Sequence, residues 1–568
     1  MPATLLAKYD PRAKAGPRPS PHRPRAQHSP RRPQGASPSR APALVRVASH
    51  IAVWLAVVVP TVQELIAGWR PLDDNAAIAV RAYQSLSLHP PLVGQATAAA
   101  VGTGHTLYDP GPLLFYVLAL PVRISPTYGL LIGAMILVGL VLSVAIEAAW
   151  SAGQWVAAAL VALTVLDLLW LMPTVFQSLP WNAYFPLPFL LASIVLAWAV
   201  SLGKVNWWPV LVVAASIAAQ SHLLFLVPAA ALVGVALVFG LLRTGRVHPP
   251  GDGVDRSGAR VTVRSLRWLI VGLGAGLLCW LAPLIQNMGP DGNLSALAGS
   301  GGQPAFGPGF GLSQVGQALV FPPLWMTRPP DGFFTAYSFT HAPPPWTGGL
   351  VFGLLLVVTV AAFASRRRAL GGLGAVALAT AAGFAYAFAI FPKKNTMSLG
   401  YLINPLWILT ILEWSVLVWG LCILVGAMVR RRHAPLLRPR VARATGAGLL
   451  VAALSAVAVA GLWSVSNSPV DVNWSPQDAA VVGRATAAIE RGAPQGPVNV
   501  RVVPSEFILQ HYVAEGIAYR LLRDSWSPGL GPVPAIYTGL ETPRGSHAPT
   551  FIVTLDAAGN LRSVTTQG

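Results

Sequence analysis

Apolar runs of about 20 residues recur along this chain, each long enough to cross a hydrocarbon core about 30 Å thick as a helix. Eleven fall near residues 47–67, 126–150, 154–173, 184–202, 207–223, 224–242, 268–287, 347–365, 369–391, 402–429 and 445–464. Without water every backbone N–H and C=O must be satisfied inside the segment, so such runs become helices. The expectation is an all-α polytopic membrane protein of about 11 transmembrane helices. Charged residues make up 10% of the chain, against about 25% in soluble domains. That excludes an ordinary cytosolic enzyme.

A formal charge of +19 would fit a nucleic-acid partner if it formed one surface. It does not. Residues 1–46 hold ten Lys/Arg, ten Pro and the single acid Asp10, with no apolar period, and read as a disordered basic cytoplasmic tail. With that tail inside, Lys204, the bases of 243–267, Arg366 to Arg368 and those of 430–443 all fall on the cytoplasmic side. The inner face then carries 26 of the 39 Lys/Arg but only three of the 20 acids. The excess charge orients the helices; the partner it implies is the lipid bilayer, and no nucleic acid is expected.

Two stretches depart from the simple count. Residues 111–124 are apolar but too short to cross, and fit a helix lying in the outer interface. Residues 396–429 fit one long or tilted span. The transmembrane domain therefore covers 47–465, with outer loops at 68–124 and 287–346. The remainder, 466–568, has soluble grammar and is expected to be a small extracytoplasmic α/β domain. Ser475-Pro476-Gln477-Asp478 resembles a capping box opening a helix to about Arg491. A strand at 498–503, a second helix capped by Ser505 and running to about Arg523, and a strand at 550–555 follow. No catalytic constellation is visible in it, which favours a structural or glycan-binding cap. Cys279 and Cys422 lie in apolar spans and read as small buried hydrophobes. No metal-ligand spacing is present, and no cofactor is expected.

Chemistry concentrates in the first outer loop. Asp73-Asp74-Asn75 follows the first span directly, and a partly desolvated carboxylate at the membrane surface suits a general base because desolvation raises its pKa. The competing reading is that Asp73 or Asp74 caps the following helix.

The acidic pair, the short helix after it, and Pro112-Leu113-Leu114-Phe115-Tyr116-Val117-Leu118-Ala119-Leu120 together resemble the GT-C superfamily of integral-membrane glycosyltransferases, particularly its protein-mannosyltransferase-like and aminoarabinose-transferase-like branches. Lys393-Lys394-Asn395 before Gly400-Tyr401-Leu402-Ile403-Asn404-Pro405 is similar to the family's late basic segment. Trp181-Asn182, Gln220-Ser221-His222 and residues 286–293 (QNMGPDGN) look like features of actinobacterial members. The resemblance covers roughly 47–430. The chain has Asp-Asp where the family usually has Asp-Glu, and Gly400 where the family has a base before the Tyr.

The resemblance implies transfer of a sugar from a polyprenyl-phosphate donor to a cell-envelope glycan, lipid or protein acceptor hydroxyl, on the outer face and with inversion. Asp73 aligns with the family's first acid and is the expected base, with Asp74 in reserve. Lys393, Lys394 and Arg81 are the expected donor-phosphate contacts, with Arg70 and Arg123 as competitors. His222, Gln220, His89, Tyr108, Tyr401 and Trp181 are the expected substrate contacts; His105, Asp109, Trp325 and Trp346 are weaker candidates. High Ala, Arg, Pro and Gly usage points to a high-GC bacterium, hence a multi-pass protein of the bacterial cell membrane with its N-terminus cytoplasmic and its C-terminus outside.

Four acids, Glu64, Glu147, Asp167 and Glu413, fall inside spans, where ionisable groups are costly and usually functional. They keep open a second class, a transporter or flippase of lipid-linked saccharide. A scaffold presenting the C-terminal domain is the third.

Overall fold

The computed structural model describes residues 40–97, 106–171, 180–244, 256–299, 304–326, 342–393, 400–432, 452–461, 463, 475–503, 507–541 and 547–567. The chain forms α1 (Arg40–Ile66), α2 (Asp73–Gln84), α3 (Leu113–Ile124), α4 (Gly129–Leu171), α5 (Pro186–Ser201), α6 (Trp208–Ser221), α7 (Leu226–Thr244), α8 (Arg256–Asn287), α9 (Asn293–Gly299), α10 (Pro308–Val315), α11 (Pro345–Ala364), α12 (Arg368–Ala389), α13 (Pro405–Arg432) and α14 (Ala452–Gly461). Helix α1 starts at Arg40, so the last residues assigned to a disordered tail are helical; residues 1–39 lie outside the described residues.

Among the described residues seven helices are long and apolar enough to cross a membrane. The expected spans 126–150 and 154–173 fall in one helical run, α4, broken at Gln154 (φ 58°, ψ −149°). The expected spans 184–202 and 207–223 are the short helices α5 and α6. Sixteen residues rise only about 24 Å at 1.5 Å each, short of a hydrocarbon core about 30 Å thick. Sequence alone could not separate them from spans, because α5 is apolar on every side for a different reason: every residue of Pro186–Ser201 is buried, wrapped by α4, α6, α7 and α12. The expected span 445–464 is described only in part, as α14.

The surface of α8 is the converse case. Leu277 and Leu278 are 61% and 74% exposed, and Leu273, Ile270 and Leu281 accompany them. A continuous apolar face of this kind is in its proper solvent only against lipid. Near the opposite end of α1 from Asp73, Arg46 and His50 both bond the Glu147 carboxylate of α4, Arg46 Nε at 2.8 Å and His50 Nε2 at 2.7 Å. Glu147 is thus a helix-pairing charge. Helix α3 is the short apolar helix expected at 111–124, and α13 continues as one helix to Arg432.

The C-terminal region folds as α15 (Pro476–Gly492), β1 (Pro497–Val503), α16 (Phe507–Arg523), β2 (Ser527–Leu530), α17 (Pro532–Thr538), β3 (Thr550–Leu555) and β4 (Leu561–Gln567). The sheet order is β2-β1-β3-β4, with β1 parallel to both β2 and β3, and β4 antiparallel to β3. The expected cap of α15 is present, Ser475 Oγ accepting from the Asp478 amide at 3.0 Å. Two strands are additions to the sequence expectation. Ser-Pro-Gly-Leu in β2 lacks β-branched residues, and β4 is mostly exposed and polar. The latter is set by the Asp556 turn, whose Oδ1 accepts from the amides of Ala558 and Asn560.

Candidate active site

Helix α2 opens without a side-chain cap: the N-cap is Leu72, and Asp73 and Asp74 stand in the first turn. Asp73 has φ 49°, a left-handed conformation that costs energy for any residue with a Cβ and is least disfavoured for Asn and Asp. Strain of this kind persists only where surrounding packing fixes it. The packing is visible: Asn75 to Val80 are all buried.

Asp74 is clamped. Trp181 Nε1 donates to its Oδ2 at 2.7 Å and Gln95 Nε2 to its Oδ1 at 3.2 Å. Burial pushes its carboxyl up, and those two hydrogen bonds oppose the rise. Neighbouring Asn182 donates from Nδ2 to Asp109 Oδ2 at 2.9 Å, and the Leu223 amide to Asp109 Oδ1 at 2.8 Å. Asp109 is fully buried. Burial lifts it to about 7, against the hydrogen bonds from Asn182 and Leu223 and with a further push from the charge of Asp74. A short backbone ladder, Asp109 N to Gln95 O at 2.7 Å and Gly94 N to Asp109 O at 3.1 Å, holds the loop that carries both Gln95 and Asp109.

Several expected substrate contacts converge on this framework. His222 ends α6 and accepts from the Leu224 amide at Nδ1, 3.2 Å; the neutral ring then carries its proton on Nε2. Gln220 is buried and donates to the Cys279 carbonyl at 2.8 Å, while its Oε1 accepts no hydrogen bond among the described residues. That oxygen lies against Gly111, where a Cβ would come within 2.2 Å of it. Tyr108 is bracketed by Asn293, which accepts from the Tyr108 amide and donates to its carbonyl, each at 3.0 Å. The QNMGPDGN segment is thus a clamp on the first loop, with Gln286 Oε1 holding the Asn293 amide.

Among the described residues the expected phosphate contacts each have partners of their own. Arg81 ends α2 and donates from Nε to the Tyr537 carbonyl at 3.1 Å, with its guanidinium against Gly539. Arg70 donates to the Trp69 carbonyl and stacks on Tyr128, and Arg123 donates to the Tyr83 carbonyl and stacks on Tyr83. Lys393 is exposed, its amide bonded to the Pro304 carbonyl. Lys394 lies outside the described residues, as do His105 and the side chain of Tyr401, whose backbone forms a 3-10 turn before α13. His89 is exposed beyond the far end of α2.

Gln95 emerges only in the structure, whereas Asn182, Asn293 and Asp109 lie in segments the sequence singles out and gain their partners here. The C-terminal domain also joins the site. Helices α16 and α17 pack on α2, and Glu515 and Tyr537 act electrostatically on Asp73 and Asp74. The signal for Asp109 was a lone carboxylate in an apolar neighbourhood. Glu515 gave none, since an acid on an amphipathic helix ordinarily marks a solvated face. Among the described residues no group of three or more His, Cys, Asp or Glu side chains is arranged to hold a metal ion.

No protein-family model matches the chain, and no curated protein matches it. The solved structures similar to it include the Archaeoglobus fulgidus oligosaccharyltransferase in its apo form, at 12% identity and a TM-score of 0.40, with 85% of this chain and 64% of that one covered. The archaeal oligosaccharyltransferase AglB from the same organism, in complex with an inhibitory peptide and a dolichol-phosphate, gives 12% identity and 0.40, over 87% and 65%. The chain thus spans under two thirds of their length. Likeness at this level carries no functional argument, which rests on the residues above.

Proposed function

We propose that the chain is an integral-membrane glycosyltransferase of the GT-C type, moving a sugar from a polyprenyl-phosphate donor to an envelope acceptor hydroxyl at the outer face. The observation that carries the reading is the acidic pair at the start of α2, a left-handed Asp73 followed by an Asp74 held by two donors. Asp74 has both carboxylate oxygens engaged, by Trp181 and by Gln95, which suits a group that positions. Asp73, at the strained start of α2, is the base. It takes the acceptor hydroxyl's proton as that oxygen attacks the anomeric carbon, while the bond to the donor phosphate breaks and its electron pair leaves on the phosphate oxygen. The N-terminus of α2 favours a carboxylate there. Arg81 and Lys393 are the described cations assigned to the phosphate, with Lys394 as a third. His222, Gln220, Tyr108, Tyr401, His89 and Trp181 are assigned to the substrates.

Purified full-length protein given polyprenyl-phospho-arabinose and polyprenyl-phospho-mannose in parallel is expected to transfer one of them. Asp73→Asn should abolish transfer while leaving folding and donor binding in place. Full transfer by that variant and by Asp74→Asn would overturn the mechanism.

One observation favours the transport reading. Glu413 is fully buried in α13, and neither carboxylate oxygen has a hydrogen-bond partner among the described residues. Glu413→Gln leaves transfer intact on the glycosyltransferase reading and stops gradient-driven uptake on the other.

A further inference from the structure

The C-terminal domain brings an acid into the immediate neighbourhood of the Asp73-Asp74 pair. Glu515 lies on the face of α16 that packs against α2 and is fully buried. The approach is close. A Cβ on Gly516 would come within 2.9 Å of Leu72 Cδ2 and 3.0 Å of Val482 Cγ2, so any larger residue would make the side chains between α16 and the start of α2 shift. Two further bonds fix the seating: Tyr519 Oη donates to the Pro126 carbonyl at 2.5 Å, and Arg81 Nε to the Tyr537 carbonyl at 3.1 Å. The domain is therefore held on both sides of Glu515.

We propose, resting on the glycosyltransferase reading above, that the C-terminal domain completes the active site and that Glu515, buried where α16 packs against the start of α2, is its positioning residue. Glu515 is fully buried and Asp73 and Asp74 are half-buried beside it, close enough that their charges repel, and ionising all three is costly. Which one keeps the proton decides whether the site has a base. Glu515 is the most buried of the three. Burial, and then the charges of Asp73 and Asp74, push it well above the usual carboxylate range. With the proton on Glu515, Asp73 is relieved of one repelling charge and stays ionised to accept the acceptor's proton.

The groups that face Glu515 are Asp73 and Asp74 on α2 and Tyr537 on α17, whose phenol is itself pushed up by burial and by the three acids. The neighbouring α15 meets α16 farther along: Arg520 lies over Gly483, and Glu490 acts on Arg523. Arg501 of β1 is exposed. When Glu515 loses its proton, α16 carries a charge toward the acids of α2, the like charges repel, and the docking that completes the site weakens.

Two measurements on the full chain in detergent test this. The first needs no transfer: an infrared difference spectrum, wild type minus Glu515→Gln, at neutral pH. A carboxylic-acid carbonyl band supports the proposal, and ionised-carboxylate bands in its place overturn it. The second reads kcat against pH. Glu515→Ala is expected to lower kcat about tenfold or more at neutral pH. Glu515→Gln should restore most of it and lack the alkaline fall expected of the wild type, since an amide cannot ionise. Unchanged kcat and pH profile in both variants overturn it. An acid band in a wild-type protein that transfers neither sugar would instead refute the glycosyltransferase reading while leaving the neutral Glu515 in place.

Discussion

The indole of Trp181 reaches across 107 residues of sequence to donate from Nε1 to Asp74 Oδ2 at 2.7 Å, and the next residue, Asn182, holds Asp109. One turn ahead of the buried helix α5 thus fixes two carboxylates, one at the start of α2 and one in the loop before α3, that precede it by about 70 to 110 positions. A hydrogen bond to a charged group contributes roughly 1.5–3 kcal/mol. Trp181→Phe keeps the ring and deletes the donor. Its expected effect is a fall in kcat on the order of 10- to 100-fold, at about 1.4 kcal/mol per tenfold, measured with the polyprenyl-phospho-sugar that the wild type uses.

Asp109 links pH to stability. Its carboxyl rises from 3.8 to about 7, so between these values the folded protein holds a proton that the unfolded chain has lost. The stabilisation is full below the unfolded value and is lost as pH rises through the folded one, with a slope of up to about 1.4 kcal/mol per pH unit. Asp109→Asn should flatten that slope. Melting temperatures of wild type and variant across that pH window provide the comparison, and parallel curves would count against the assignment.

Gly111 packs where no side chain fits, with a Cβ 2.2 Å from Gln220 Oε1 and 2.6 Å from Pro283 Cγ. Gly111→Ala should cost about 1–3 kcal/mol by overpacking. The readout is thermal unfolding of the detergent-solubilised protein.

The left-handed backbone of Asp73, φ 49°, separates charge from conformation. Asn adopts that region readily and a β-branched residue does not. Asp73→Asn should melt close to the wild type, whereas Asp73→Val should lose about 1–2 kcal/mol. Equal melting points would show that α2 starts elsewhere in solution.

Much of the fold was legible because each piece was local. Runs of 20 apolar residues, a Ser475 cap and a short interfacial-length helix at 113–124 are written in neighbouring residues, and the structure has them. The expected count of 11 spans is not reproduced among the described residues, where seven helices are long and apolar enough to cross. The expected spans at 184–202 and 207–223 fold as α5 and α6, shorter than a hydrocarbon core, because burial by protein and burial by lipid select the same side chains.

The site divides in the same way. The sequence by itself determined that Asp73 and Asp74 follow the first apolar helix and that Trp181-Asn182, Gln220 to His222 and the 286–293 segment punctuate later ones. Only the tertiary structure decided that Asp74 is clamped while Asp73 is strained, that Asn293 brackets Tyr108, that Arg81 is engaged by Tyr537, and that Glu515 enters the site from beyond residue 500. Apolar pattern is set by solvent, one residue at a time. A buried carboxylate takes its role from the donors and charges brought to it, and those come from parts of the chain that meet only when it folds.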